Sequence, residues 1–382
     1  MIRRFMWKII GLIYAYIVKP IAFLSTPDVA HNRMISAVSF IGRFRLTRGL
    51  VKLVFKSPVD FRLAQTYHGI EFKKPVGLSA GLDKNGEILP IISSLDFGFG
   101  EIGSVTAQAS EGNPRPWFFR LRNTKSMVVH AGLANHGSSV IIDRLGRYNA
   151  SITKNFPVIL SVAKTNSREV VEVQAGVDDY VTTVKRAKNK KFIKLIELNI
   201  SCPNAYGGEP FTSPERLEKL LSAVDKARPT QPIFIKMPSG LEWTDYKRLL
   251  DVITKHKIAG VTIANLAKDR SKANLLDELP DDVRGNLSGK PTQAINDEFI
   301  RRTYLAYGDK LTIIGVGGIF SADDAYRKIR LGASLVELIT GLIFCGPQLM
   351  SEINDGLSRR LARDGFSHIS QAVGIDAKLE TR

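Results

Sequence analysis

The chain has 382 residues, 44% of them hydrophobic and 24% charged, with 31 Gly, 17 Pro and two Cys. This composition excludes a disordered, collagen-like or disulfide-stapled protein, and two thiols, Cys202 and Cys345, cannot build an iron–sulfur cluster or a four-ligand zinc site. The net charge of +17 attracts nucleic acid, anionic lipid or small anions without choosing among them.

Phe5 to Leu24 is dominated by Ile, Leu, Phe, Trp, Tyr and Ala; it holds Lys8 and Lys19 and follows Arg3 and Arg4, with no acid. Its longest uncharged run, Ile9 to Val18, falls short of the about 20 residues of a spanning helix. Lys19 and Pro20 interrupt it, and Pro20 is predicted to end or kink a helix. A second helix is predicted with Thr26 as N-cap, Pro27 at its first position and Asp28 in its first turn. Val29, Ala30, Met34, Ala37, Val38 and Ile41 suit one of its faces. Residues 1–45 therefore read as a monotopic pair of amphipathic helices lying in a lipid interface, ahead of a domain spanning 46–382. A single transmembrane helix with Lys8 and Lys19 snorkelling, a helix docked on its own core and a cleaved signal peptide are the alternatives.

From Phe72 onward, apolar runs alternate with helical stretches. The predicted strands are Pro75–Ser79, Gly98–Val105, Val158–Val162, Leu195–Asn199, Ile233–Lys236, Gly260–Ala264, Thr312–Val316 and Leu335–Ile339. Eight closes a parallel (β/α)8 TIM barrel, an α/β fold. Polar and glycine residues collect at the C-terminal ends of these runs, where barrel enzymes place their sites. A doubly wound open sheet is the alternative. Two connections, 106–157 and 266–311, are long enough to carry a lid or extra sheet.

Gly317-Gly318 after the seventh strand and Thr340-Gly341 after the eighth suit a phosphate. With no GxGxxG or Walker loop present, a mononucleotide such as FMN fits better than a dinucleotide. Asn199 and Asn204 flank Cys202, offering amides to a planar polar ring and a thiol that a modest electropositive shift would make a base near neutral pH. Lys84 follows a Gly-rich turn, and Lys236 ends an otherwise apolar strand. His130 and His136 lack carboxylate neighbours in sequence and are not read as metal ligands; no metal is predicted.

Ala80-Gly81-Leu82-Asp83-Lys84-Asn85-Gly86, Glu101-Ile102-Gly103-Ser104-Val105-Thr106, Gly112-Asn113-Pro114-Arg115-Pro116, the Asn199 loop, Leu287-Ser288-Gly289-Lys290-Pro291 and Ile314-Gly315-Val316-Gly317-Gly318 stand in one order. In that order they resemble the dihydroorotate dehydrogenase family, the FMN enzymes of pyrimidine synthesis, and in particular its membrane-bound, quinone-reducing class. The resemblance implies that Ser79, Ala80, Gly81, Ser104, Ser161, Asn199, Lys236, Ala264, Ser288, Gly289, Gly317, Gly318, Ile339 and Thr340 hold FMN. It implies that Lys84, Asn199, Asn204, Asn265 and Leu266 hold dihydroorotate or a related substrate. Cys202 falls where the family places the base that takes the C5 proton, and Arg120 is a candidate at a quinone tunnel. It also implies peripheral association with a cell membrane or mitochondrial inner membrane, and neither nucleic acid nor an iron–sulfur subunit as partner.

The departures are specific. The quinone class ordinarily has Ser where this chain has Cys202, a habit of the soluble class. An expected substrate Asn is Val129, a third-strand Asn is Ser161, a Tyr before Thr340 is Ile339, and the lid pattern has become His130-Ala131-Gly132-Leu133-Ala134. The alternative function is a related FMN oxidoreductase acting on another cyclic or unsaturated compound.

Overall fold

Runs of β-branched and aliphatic residues that are buried on both faces form the eight parallel strands. They are β1 (Val76–Leu78), β2 (Phe99–Val105), β3 (Val158–Val162), β4 (Leu195–Asn199), β5 (Ile233–Lys236), β6 (Gly260–Ile263), β7 (Thr312–Val316) and β8 (Leu335–Leu338). Each pairs with the next, and β8 returns to β1, so the sheet is a closed barrel as predicted. The computed structural model describes residues 2–148, 150–271 and 273–379.

The barrel interior is layered. Phe99, Ile159, Leu195, Phe234, Ile314 and Leu335 form an apolar floor, sealed from below by Ile70 and Phe72 of a short hairpin. Gly77 faces this floor because a Cβ there would lie 2.2 Å from the Phe99 ring. Above the floor the buried side chains turn polar: Glu101, Glu197, Lys236, Thr262 and Glu337. The two long connections meet over the mouth. Phe118–Leu121, Ser126–Val129 and Asn286–Leu287 make one antiparallel sheet, with Val129 paired to both Phe118 and Asn286.

Three helices precede the barrel: α1 (Ile2–Leu24), α2 (Pro27–Gly42) and α3 (Arg45–Phe55). The helical part thus continues past residue 45 to Phe55. Pro20 does not end α1, which continues to Leu24. A π turn over Tyr14–Val18, closed by Lys19 N–H donating to the Tyr14 carbonyl, opens the ladder just ahead of it. The proline ring then meets carbonyls whose regular bonds are already displaced.

One side of α1 is fastened to the barrel domain. Arg4 pairs with Asp355 at 2.8 Å, and the buried Trp7 indole donates to the Val54 carbonyl at 2.9 Å. The Tyr14 hydroxyl donates to the Ile343 carbonyl at 2.6 Å and Lys19 to that of Phe344 at 3.2 Å. The other side exposes Ile2, Phe5, Tyr16, Ile21 and Leu24. Along α2, Ala30, Met34, Val38 and Ile41 line an internal cavity, whereas Val29 is substantially exposed and Ala37 faces solvent.

The Thr26 side chain makes no capping bond. Asp28 turns away from its helix and accepts from the backbone N–H of Trp117 at 3.1 Å and of Phe118 at 3.3 Å, and from Arg115 at 3.0 Å. Asp28→Ala would strand these donors at a buried position, so a loss of about 1–3 kcal/mol is expected. Denaturant unfolding measures it, and amide exchange should accelerate in α2 and at Trp117 and Phe118 before it does in the barrel strands.

Candidate active site

A continuous cavity of about 710 Å³ runs from between α1 and α2 to the barrel mouth. Its outer part is apolar, with Ile10, Ile13, Val18, Met34, Val38 and Leu342 on the wall; Arg120 is the cation there. The Arg120 guanidinium donates to the carbonyls of Phe23 and Ser25 and lies 4.3 Å over the Phe23 ring. Burial lowers its pKa from the ordinary value.

The inner part gathers the strand ends. Ser79, Ala80, Gly81, Lys84, Ser104, Asn199, Cys202, Asn204, Lys236, Ala264, Asn265, Leu266, Ser288, Gly289, Gly317, Gly318, Ile339 and Thr340 all line it. Ser161 is the exception: it stands fully buried behind Ser104, their hydroxyls 3.0 Å apart, so it reaches the cavity only through that serine. Asn199 continues this chain, donating to Ser104 Oγ at 2.8 Å and accepting from Asn265 at 3.1 Å. The amides predicted to face a ring are therefore oriented by one another before any ligand arrives.

Glycine geometry shapes one end. Gly317 and Gly318 adopt φ of +93° and +69°. A Cβ on the first would lie 2.4 Å from Thr292 Oγ1, and on the second 2.4 Å from Gln293 Cβ. Only glycine lets this loop turn and leaves backbone at the wall. Ser288 and Thr340 meet beside it, hydroxyl to hydroxyl, at 2.9 Å.

At the other end Lys84 lies 5.2 Å from the Phe118 ring centroid and 3.3 Å from His31 Nε2. Burial pulls its pKa down to about 8, against the pull of Asp83 and Asp28. Burial, then Lys84, pushes His31 down to about 3, so its neutral ring accepts from the ammonium. On the sequence alone, His130 and His136 are considered and His31 is passed over. Its place one turn before Met34 and two before Val38, on the cavity face of α2, was the available signal.

Cys202 also differs from expectation. The electropositive pull is outweighed: burial, helped by the Glu209 charge, pushes the thiol pKa up to about 11 against the backbone donors at Asn204 and Ala205 and the Lys164 charge. Asn204 is held by the lid: its amide donates to the Val129 carbonyl and its oxygen accepts from Asn286, both at 2.9 Å. Asn286 was missed as well. It pairs across the ladder with Val129, the position where the resemblance implies an amide.

The family model described as "Dihydroorotate dehydrogenase" matches residues 62–361. A dihydroorotate dehydrogenase (quinone) of Rippkaea orientalis is 34% identical over 365 residues, covering 93% of this chain and 96% of the relative. One of Haloarcula marismortui is 40% identical over 319 residues, covering 83% and 87%. The ligand-free dihydroorotate dehydrogenase of Eimeria tenella superposes with a TM-score of 0.81 at 25% identity, over 92% of this chain and 99% of that one.

Asn286→Ala leaves the Asn204 oxygen with a weaker donor set. An expected loss of about 1 kcal/mol should appear locally, as faster amide exchange at Val128 and Leu287 with the global melting temperature nearly unchanged.

Proposed function

As the chain belongs to the dihydroorotate dehydrogenase family, we propose that it oxidises dihydroorotate to orotate with FMN as cofactor and a membrane quinone as final acceptor. It is an oxidoreductase, and the single observation that carries the detailed reading is the cavity. Its apolar end opens between the N-terminal helices and its polar end stops at Cys202, Asn199 and Lys236. The glycine turn at Gly317 and Gly318, the adjoining Ser288, Gly289 and Thr340, and the Lys236 ammonium fit a phosphate joined to a planar ring.

FMN, when bound, supplies the hydride acceptor. This chain's residues do the rest. Lys84, Asn199, Asn204 and Asn265 orient the pyrimidine, Lys84 through charge and the asparagines through amides already fixed by their neighbours. Cys202 Sγ takes the C5 proton, for which it must first lose its own. Gly132 and Leu133 lie along the cavity wall in the lid connection and help exclude water over the ring. The quinone approaches along the apolar end, where Arg120 is the available donor to a carbonyl oxygen.

We read α1 and α2 as the seat on the membrane. By length and composition α1 could cross a bilayer. The bonds of Arg4, Trp7, Tyr14 and Lys19 to the rest of the chain favour a helix lying along the protein surface, its free side in lipid. The second reading, another cyclic or unsaturated substrate, is favoured by Val129 and by the engagement of Asn204 with the lid.

Purified protein should be yellow, and anaerobic dihydroorotate should bleach it and yield orotate. A flavin that stays oxidised by dihydroorotate but is bleached by another compound in a screen establishes the second reading. With a thiol pKa of about 11, flavin reduction at saturating substrate should quicken about tenfold per pH unit through neutrality. Cys202→Ser should slow it sharply near neutral pH, with recovery at higher pH, because the serine hydroxyl must lose its proton as well. Orotate affinity should decline as pH rises past about 8, where Lys84 loses its proton, and Lys84→Gln should bind weakly at every pH.

A further inference from the structure

Beneath the cavity the barrel gathers around Lys236 three carboxyl groups that the reaction above does not use. Lys236 Nζ lies 3.3 Å from Glu101 Oε2 and 3.4 Å from Glu197 Oε1, with Ser79 Oγ at 3.3 Å. Glu337 completes the group from β8, and Glu101, Glu197 and Glu337 are all fully buried. The other strands bring no titratable side chain to this layer: β3 contributes Ser161, β6 Thr262 and β7 Val316, while Ser79 follows β1. The apolar floor shuts out water from below.

Three carboxylates around one ammonium would leave two uncompensated negative charges in this dry space, which proteins avoid by neutralising the group. Hydrogen bonding shows the same deficit. Glu101 Oε1 and all four carboxyl oxygens of Glu197 and Glu337 have no well-formed hydrogen bond among the described residues. Glu101 Oε2, by contrast, accepts from the Ala80 N–H at 2.7 Å and from Lys236. Two protons would bring the charge to zero and turn two of the orphaned oxygens into donors for the others.

We propose that this layer is a proton store: at neutral pH Glu197 and Glu337 are neutral acids and Glu101 and Lys236 form the ion pair; as pH rises the two acids begin to give up their protons, and the store takes a proton back at Glu197 or Glu337 when negative charge enters the cavity above Lys236. Burial, and next the Glu101 charge, raise the pKa of both Glu197 and Glu337. Burial opposes ionisation of Glu101, but Lys236 and its hydrogen bonds hold its pKa below the ordinary value. Lys236 and Ser79 line the cavity, whereas the three glutamates do not. Ser79, bonded to Lys236 and standing beside Glu337, is the hydroxyl through which a solvent proton in the cavity reaches the layer. The coupling to cavity charge rests on the flavin reading; the protonation of the layer does not.

The test uses the purified holoenzyme and the variants Glu337→Gln and Glu197→Gln. An acid whose folded pKa is raised binds more protons folded than unfolded above about pH 4.5, so wild type loses stability as pH rises toward the folded pKa. A glutamine escapes that loss. Each variant should therefore melt above wild type at about pH 8 and converge with it toward about pH 4.5. Infrared spectra should show protonated-carboxyl absorption at neutral pH that diminishes in each variant. Variants that melt below wild type most strongly at neutral pH, or a spectrum without that absorption, overturn the store.

For the coupling, the midpoint potential of the bound flavin, titrated with dye couples, should fall more steeply with pH in wild type than in Glu337→Gln. Equal slopes overturn it. A protein that binds no flavin defeats the functional reading instead, while melting and infrared still decide the store.

Discussion

The ion pair between Lys236 and Glu101 is the contact on which the site is built. Glu101 comes from β2 and Lys236 from β5, nearly opposite each other in the barrel, and Glu101 also accepts from the backbone of Ala80 beyond β1. The pair thus fixes a strand end that the cavity needs, with Lys236 at the cavity wall and Glu101 fully buried behind it. Breaking one partner of such a pair leaves an uncompensated buried charge, which typically costs about 3–5 kcal/mol. An apolar barrel interior would be simpler to stabilise. The ammonium is present because the wall above it is chemistry-bearing, and the carboxylates are present because the ammonium is.

Much of this architecture is legible in the residues. Val158–Val162, Leu195–Asn199, Ile233–Lys236 and Thr312–Val316 end where the apolar runs end, because a parallel strand covered on both faces admits few polar residues outside its tips. The exceptions carried information that periodicity alone does not interpret. Glu101, Glu197 and Glu337 each interrupt an apolar strand in its middle, and only barrel closure shows that all three point to one place. Ser161 reads as a wall residue in one dimension and is a supporting residue in three, because Ser104 stands between it and the cavity. The two-residue strand Asn286–Leu287 is too short for any pattern, and its pairing with Val129 exists only because two insertions more than a hundred residues apart meet.

The N-terminal helices and the lid form one mechanical unit with the mouth. Asp28 ties α2 to the hairpin at Trp117 and Phe118, Arg120 on that hairpin holds the carbonyls where α1 ends, and His31 touches Lys84. The outer and inner halves of the cavity therefore share walls rather than merely adjoining. A displacement of α2 from its seat would be felt at Lys84 without passing through the barrel.

The π turn in α1 has a geometric consequence. Each residue of a regular helix advances about 100° around the axis, so the one extra residue in the widened turn rephases everything after it by that angle. The segment before Tyr14 and the segment after Val18 thus aim their stripes in different azimuthal directions. Tyr14 and Lys19, five apart, consequently both face the backbone of Ile343 and Phe344, an alignment that an uninterrupted 3.6-residue spiral would have skewed.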